Sequence, residues 1–244
     1  MALFMKDPNR GFLATRGREG DGGAKALAAW YERLRGIVLR NTEPASRSFR
    51  YMSRLIERDF PVAGKGACLA FSSTDSDEVS TDALLMLAYC LKSELESRVL
   101  LVDARFRDLD EGLTGRLGLL DLPGFAEVMA GVAPEGPGLV HATAVDGVDI
   151  LPAGGLAQTG PAQADRARLA RLLGDARAAY DHVLVQVGPV LKDTRSVVTV
   201  AQADATFLLA RENRTFMKSL DTSRQMLLSN GVKDVRVVVT GRGG

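Results

Sequence analysis

"ACLAFSSTDSDEVSTDALLML", from Ala67 to Leu87, is the stretch whose reading decides the fold. An apolar run of strand length enters a polar loop, and the loop opens a segment with helical periodicity. A strand that is apolar throughout is covered on both faces, the habit of a parallel sheet flanked by helices. The loop is unusual for that position. It holds Asp75, Asp77 and Glu78, with Asp82 just beyond, and contains no Lys or Arg.

Outward from this unit the alternation repeats. "RVLLVD" (98–103), "VDIL" (148–151), "HVLVQV" (182–187), "ATFLLA" (205–210) and "DVRVVVT" (234–240) are further strand candidates beside "ACLAFSS" (67–73). Segments near 79–96, 123–130, 165–179, 192–201 and 213–229 have helical spacing. The pattern predicts an α/β fold, a doubly wound and mostly parallel sheet with helices on both faces. Sites in such sheets lie beyond the carboxyl ends of the strands. The segments to examine are therefore 72–81, 103–107 and 186–189.

Upstream, glycine-rich "RGREGDGGAK" makes residues 1–23 a flexible leader. Residues 24–40 have helical composition, with Trp30 and Tyr31 on an apolar face that would dock on the domain or on a partner. "NTEPAS" breaks that helix, and 47–60 forms a second, basic amphipathic one. The N-terminal helices thus span 24–60, and the main domain spans 61–244.

Composition removes several function classes. Lys and Arg number 31 against 30 Asp and Glu, a net charge of +1, so no global field draws the chain to nucleic acid or a membrane surface. The longest apolar run, Ala83–Leu91, is about half of the ~20 residues a membrane helix needs, so no direct membrane insertion is expected. The expected compartment is the cytoplasm, at the inner-membrane face only through a partner. Cys68 and Cys90 sit in apolar surroundings and read as buried free thiols. His141 and His182 stand apart from any Cys or carboxylate cluster, so no metal site is expected.

Set beside the phosphate-loop pattern G-x-x-x-x-G-K-[ST], the first loop fits at its tail and fails at its centre. Ser80 and Thr81 occupy the hydroxyl positions, Val79 stands at the lysine and Glu78 at the preceding glycine. Such loops work because glycines open backbone N–H groups to the anion and the lysine neutralises it. The second loop reads "VDARFR", with Asp103, Arg105 and Arg107. The third reads "LVQVGP", with Gln186 and Pro189.

Together with "LPGFAEVMAG" (122–131) and "VDILPAGGLAQTGPAQ" (148–163), these motifs resemble, in order and spacing, the cytoplasmic domain of the bacterial tyrosine kinases (BY-kinases). The likeness runs from about Arg47 to Thr240. That family is related to the MinD/ParA ATPases and has the P-loop NTPase fold, so the resemblance implies that fold. Its phosphate loop reads like E-G-K-S-T where this chain has "DEVST". Its second motif reads like V-D-A-D-x-R, and Arg105 stands at the second aspartate. Its third reads like I-I-D-T-P-P, and Gln186 stands at the aspartate. Its assembly helix reads E-x-x-R-x-x-R. Arg50 matches the first arginine, while Arg47 replaces the glutamate and Ser53 the second arginine. The family's terminal tyrosine cluster has no counterpart, because tyrosines occur only at 31, 51, 89 and 180.

The acidic loop has a physical reading on these terms. A helix N-terminus carries about half a positive charge and unsatisfied N–H donors. Asp75 followed three residues later by Glu78 has the form of a capping box that satisfies those donors internally. An ordinary solvated helix cap is the plainer alternative. Either way, neither ATP nor Mg²⁺ is expected to bind. Arg105 is expected to serve as a built-in cation whose forked donors reach Asp103, Glu78 or Asp77; the alternative has it pointing into solvent.

The leading expectation is a non-catalytic BY-kinase-like protein, an adaptor or regulator in exopolysaccharide, capsule or holdfast-type export. The resemblance implies as partner the cytoplasmic tail of a membrane polysaccharide co-polymerase, or an active kinase homologue, and allows self-association. A competing expectation is a divergent ATPase or tyrosine autokinase in which Lys65 or Arg105 replaces the lost lysine. A third is a MinD/ParA-like positioning scaffold.

Overall fold

The computed structural model of the chain describes residues 44–74, 80–132, 138–159 and 165–240. The leader, the helix expected over 24–40 and the loop residues Asp75 to Val79 lie outside them. Within them, helix α1 (Pro44–Asp59) leads into β1 (Ala67–Ser73), α2 (Ser80–Leu95) and β2 (Val99–Asp103). A 3-10 turn (Leu109–Glu111), α3 (Leu113–Arg116) and α4 (Phe125–Ala130) follow. Then come β3 (His141–Ala142), β4 (Val148–Leu151), α5 (Leu156–Thr159), α6 (Arg166–Ala179) and β5 (His182–Gln186). The chain continues through α7 (Thr194–Val200), β6 (Ala205–Arg211), α8 (Met217–Ser229) and β7 (Val235–Thr240).

The seven strands form one sheet in the order β3-β4-β2-β5-β1-β6-β7. Every pairing is parallel except that of the two-residue β3 with β4. Strand alternation explains why both faces need helices. From β1, Leu69 and Phe71 enter one core with Leu84, Leu87 and Leu91 of α2 and Ile56 of α1. Cys68 and Ala70 enter the opposite core with Leu169, Leu172 and Leu173 of α6 and Leu220 and Leu227 of α8. The central strands β1, β2 and β5 are buried at every position. The doubly wound sheet read from the sequence is the observed one.

The differences are local. Helix α1 starts at Pro44, inside the stretch read as a break, because proline fits the first helical turn, where its missing N–H has no helical acceptor to lose. Helix α8 starts at Met217, four residues later than expected. Asn213 in the turn before it has φ 59°, a left-handed conformation that a helix cannot continue. Both cysteines are buried free thiols. Burial pushes Cys68 up to about 12 and Cys90 up to about 11, far from reactive thiolates. No helix among the described residues is long and apolar enough to cross a membrane.

Candidate functional site

The order β2-β5-β1 brings the ends of three strands side by side. Asp103 at the end of β2 pairs in register with Gln186 at the end of β5, and Gln186 pairs with Phe71 of β1. Ser72, Ser73, Thr74, Thr81, Asp103, Arg105, Thr114 and Gln186 are all buried there. So dense a polar cluster must satisfy its hydrogen bonds internally. The three loops singled out in the sequence do converge.

What closes the cluster is the segment from the 3-10 turn into α3, which folds back over the strand ends. The Leu113 N–H donates to Gln186 Oε1 at 3.0 Å, and the Thr114 N–H donates to Asp103 Oδ2 at 2.9 Å. The Ala153 N–H donates to Thr114 Oγ1 at 2.8 Å, so the hydroxyl proton is left to point at Asp103 Oδ2, 2.7 Å away. Gln186 Nε2 donates to Thr81 Oγ1 at 2.9 Å, and Thr81 passes its own proton to the Glu111 carbonyl at 2.7 Å. Because Leu113 N–H can only donate, the orientation of the Gln186 amide is fixed: oxygen to α3, nitrogen to α2. Gly112 permits the close approach. A Cβ there would lie 2.9 Å from Asp103 Oδ2 and 3.0 Å from Arg105 Nη1.

Asp103 therefore receives three donors, the third being the Arg105 N–H on Oδ1 at 3.2 Å. Full burial nevertheless raises its pKa, with the Thr114 bonds and the Arg105 charge working against that rise. Arg105 is only 1% exposed, so the reading in which it points into solvent is overturned. Its guanidinium engages the turn that follows it. Nη2 donates to the Asp108 carbonyl at 2.7 Å, while Asp103 is held through the Arg105 backbone. The reason lies in the turn: Asp108, in a left-handed conformation at φ 51°, directs its carbonyl back toward Arg105. Glu78 and Asp77, the other expected partners, lie outside the described residues, as does Val79. The Ser80 backbone opens α2.

The remaining candidates separate. Pro189 follows β5 in a loop tied to β1: Ser72 Oγ donates to the Gly188 carbonyl at 2.9 Å and the Val190 N–H to the Ser73 carbonyl. Arg107 is exposed beside Asp193 rather than in the cluster. Burial opposes the charge on Asp193, yet its bonds to Arg195 and the nearby Arg107 hold its pKa below the usual value. Lys65 is exposed two residues before β1, at the opposite end of the sheet. A seven-residue strand spans roughly 23 Å, so Lys65 cannot replace a phosphate-loop lysine. On α1, Arg47 is exposed, Arg50 pairs with Glu94 of α2 at 3.4 Å, and Ser53 is fully buried. Ser53 Oγ donates to the Arg50 carbonyl, so the position of the family's second arginine faces the domain interior.

Two functional positions escaped the sequence reading. Thr114 is the hub of the closing segment. Glu127 takes the Gly124 N–H on Oε2 at 2.7 Å and the Leu156 N–H on Oε1 at 2.8 Å, tying "LPGFAEVMAG" to the loop after β4. An S/T/G-x-x-E spacing before an apolar run could have flagged Glu127. Nothing local flags Thr114, whose partners are 11 and 39 residues away.

No family model matches the chain. Over 148 residues, 60% of its length, it is 27% identical to the tyrosine-protein kinase wzc of Salmonella typhimurium. The chain spans about a fifth of the length of the curated relatives it matches. Among solved structures, the chimerical protein CapA2B2 superposes with a TM-score of 0.70 at 16% identity, covering 83% of this chain and 87% of that one. The BceF tyrosine kinase domain gives 0.68 at 23% identity, over 90% and 89%. The MinD cell division protein of Aquifex aeolicus gives 0.56 at 19% identity, over 71% and 69%. The chain is BY-kinase-like, related in sequence to a tyrosine kinase and built on the P-loop NTPase fold that it shares with MinD.

Proposed function

We propose that the chain is a non-catalytic BY-kinase-like adaptor or regulator in polysaccharide export of the exopolysaccharide, capsule or holdfast type. It would act by docking on the cytoplasmic tail of a membrane co-polymerase or on an active kinase homologue. The support for a role in that pathway is the likeness to wzc and to CapA2B2. The observation that carries the non-catalytic part is the Gln186 amide, which spends its oxygen on α3 and its nitrogen on Thr81.

The residues present fit Mg²⁺-nucleotide poorly. Mg²⁺ wants several oxygen ligands in an octahedron, supplied by carboxylates, phosphates and water. At the paired ends of β2 and β5 there is one carboxylate, Asp103, and its oxygens already take three protein donors. Two carboxylates in register and without exposure would need a cation between them. A neutral amide beside one carboxylate does not. Thr81 commits its proton to Glu111 and its lone pair to Gln186. The site is stitched by its own side chains, an arrangement that opposes turnover.

The test is incubation of the purified chain with Mg²⁺ and γ-labelled ATP, followed by alkali treatment to reveal phosphotyrosine. No base-resistant label is expected on the chain. Label that appears in proportion to time, and vanishes in Asp103→Ala, would establish a divergent autokinase instead.

A further inference from the structure

We propose that the cavity where the C-terminal ends of α1 and α2 meet the start of β5 binds a small organic cation, an ammonium or guanidinium on an aliphatic stem. The inference is independent of whether the chain binds nucleotide, because this cavity lies at the opposite end of β5 from Gln186.

The cavity holds ≈ 400 Å³, the size of a small-molecule site. It is lined by Glu57 of α1 and Val62 of the link that follows, by Leu95 and Ser97 at the end of α2, and by Asp181 and His182 at β5. Side chains alternate along a strand, so His182 shares its face with Leu184, which packs in the core beneath α1 and α2.

Two observations point to a ligand. His182 is only 1% exposed, and neither Nδ1 nor Nε2 has a hydrogen-bond partner. A neutral imidazole carries one donor and one acceptor, and native structures rarely leave such buried groups unmade. Burial keeps this ring neutral, while Asp181 and Glu57 are near enough to oppose that shift.

The second observation is the sign of the charge. Both carboxylates line the cavity, and none of the lining residues is cationic. Two helix C-termini add the negative ends of their dipoles. The cations nearby are turned elsewhere. Arg54 meets Glu57 at 3.1 Å on exposed surface, a pair worth little in water. Arg98 gives Asp181 Oδ2 its backbone N–H at 2.7 Å, while its guanidinium lies over the Tyr180 ring. An imidazole lone pair and two carboxylates accept, so the ligand must donate and carry positive charge. Leu95 and the exposed Val62 offer apolar surface to its stem. Among the described residues no three His, Cys, Asp or Glu side chains are placed to hold a metal ion, so the cation is an organic one.

Histidines occur only at 141 and 182, so the untagged chain gives two imidazole Cε1–H signals in proton NMR, and His141→Gln leaves that of His182. At pH 7.5 and constant ionic strength, agmatine should move the His182 signal saturably below ten millimolar and leave His141 in place. Glu57→Gln and Asp181→Asn should each weaken binding at least threefold. Both variants keep the fold, because Glu57 is exposed and an asparagine oxygen still accepts from Arg98. N-acetylargininamide in place of agmatine identifies the source of the cation: tighter binding of the amide assigns the site to an arginine of a polypeptide, tighter binding of agmatine to a free amine. No saturable movement of the His182 signal with either cation would overturn the proposal. So would an equal movement with sodium chloride alone, and so would an affinity unchanged in both variants.

Discussion

Replacing Thr114 with valine removes one hydroxyl and leaves the shape of the side chain almost intact. Thr114 is fully buried, and its Oγ1 both accepts from the Ala153 N–H at 2.8 Å and donates to Asp103 Oδ2 at 2.7 Å. In the variant the Ala153 N–H loses its acceptor, at a cost of about 1–3 kcal/mol for a buried donor left unmade. Asp103 Oδ2 keeps the Thr114 N–H but loses a donor to a buried carboxylate, which adds about 1–2 kcal/mol. The sum is about 2–5 kcal/mol. Thr114→Ser is the control: both bonds survive and one methyl is lost, about 1 kcal/mol. Urea unfolding followed by circular dichroism separates the two through Cm at constant m. In thermal melts the valine variant should fall by about 2–4 °C per kcal/mol for a chain of this size. If valine costs no more than serine, Thr114 is not the hub of the closing segment and the stitched-site argument fails.

Val79→Lys alone should leave ATP hydrolysis at background, because it restores one charge while Gln186 still binds Thr81 and α3; steady-state phosphate release checks this. Gln186→Asp should destabilise the fold by about 2–4 kcal/mol in urea, since it sets a second buried carboxylate in register with Asp103 and removes the donor to Thr81. Burial holds His182 below the usual histidine pKa, with Asp181 and Glu57 nearby opposing that shift. The unfolded chain therefore binds more protons here, so stability is full above about pH 6.5 and declines as pH falls below it toward the folded pKa. His182→Leu should flatten that decline in urea midpoints measured from pH 7.5 to 5.

The sheet was legible because strands buried on both faces read as unbroken apolar runs, and each core strand was placed to within a residue or two. The convergence of Asp103, Gln186 and Thr81 was legible too, since all three sit at or just beyond strand ends whose position the alternation fixes. Their bonding was not. Arg105 sits in the site as expected, but its bond to a backbone carbonyl was not legible. The turn at Asp108 presents that carbonyl, and a left-handed residue in "RDLDEG" leaves no clear mark in the sequence. Thr114 escaped for a related reason. "GLTGR" has too few apolar residues to show a period, and its short helix exists because Gly112 lets two N–H groups reach Gln186 and Asp103. Lys65 shows the converse. It looked close to the loop along the chain, but the strand between them sets them at opposite ends of the sheet.

Titration calorimetry of the purified chain with Mg-ATP and with Mg-ADP tests the central claim most directly. A stitched site with Val79 at the lysine position, Gln186 at the acidic position and Thr81 already bonded should give no binding heat up to millimolar nucleotide. A saturating isotherm with a sub-millimolar Kd for either nucleotide, abolished by Asp103→Ala, would contradict it.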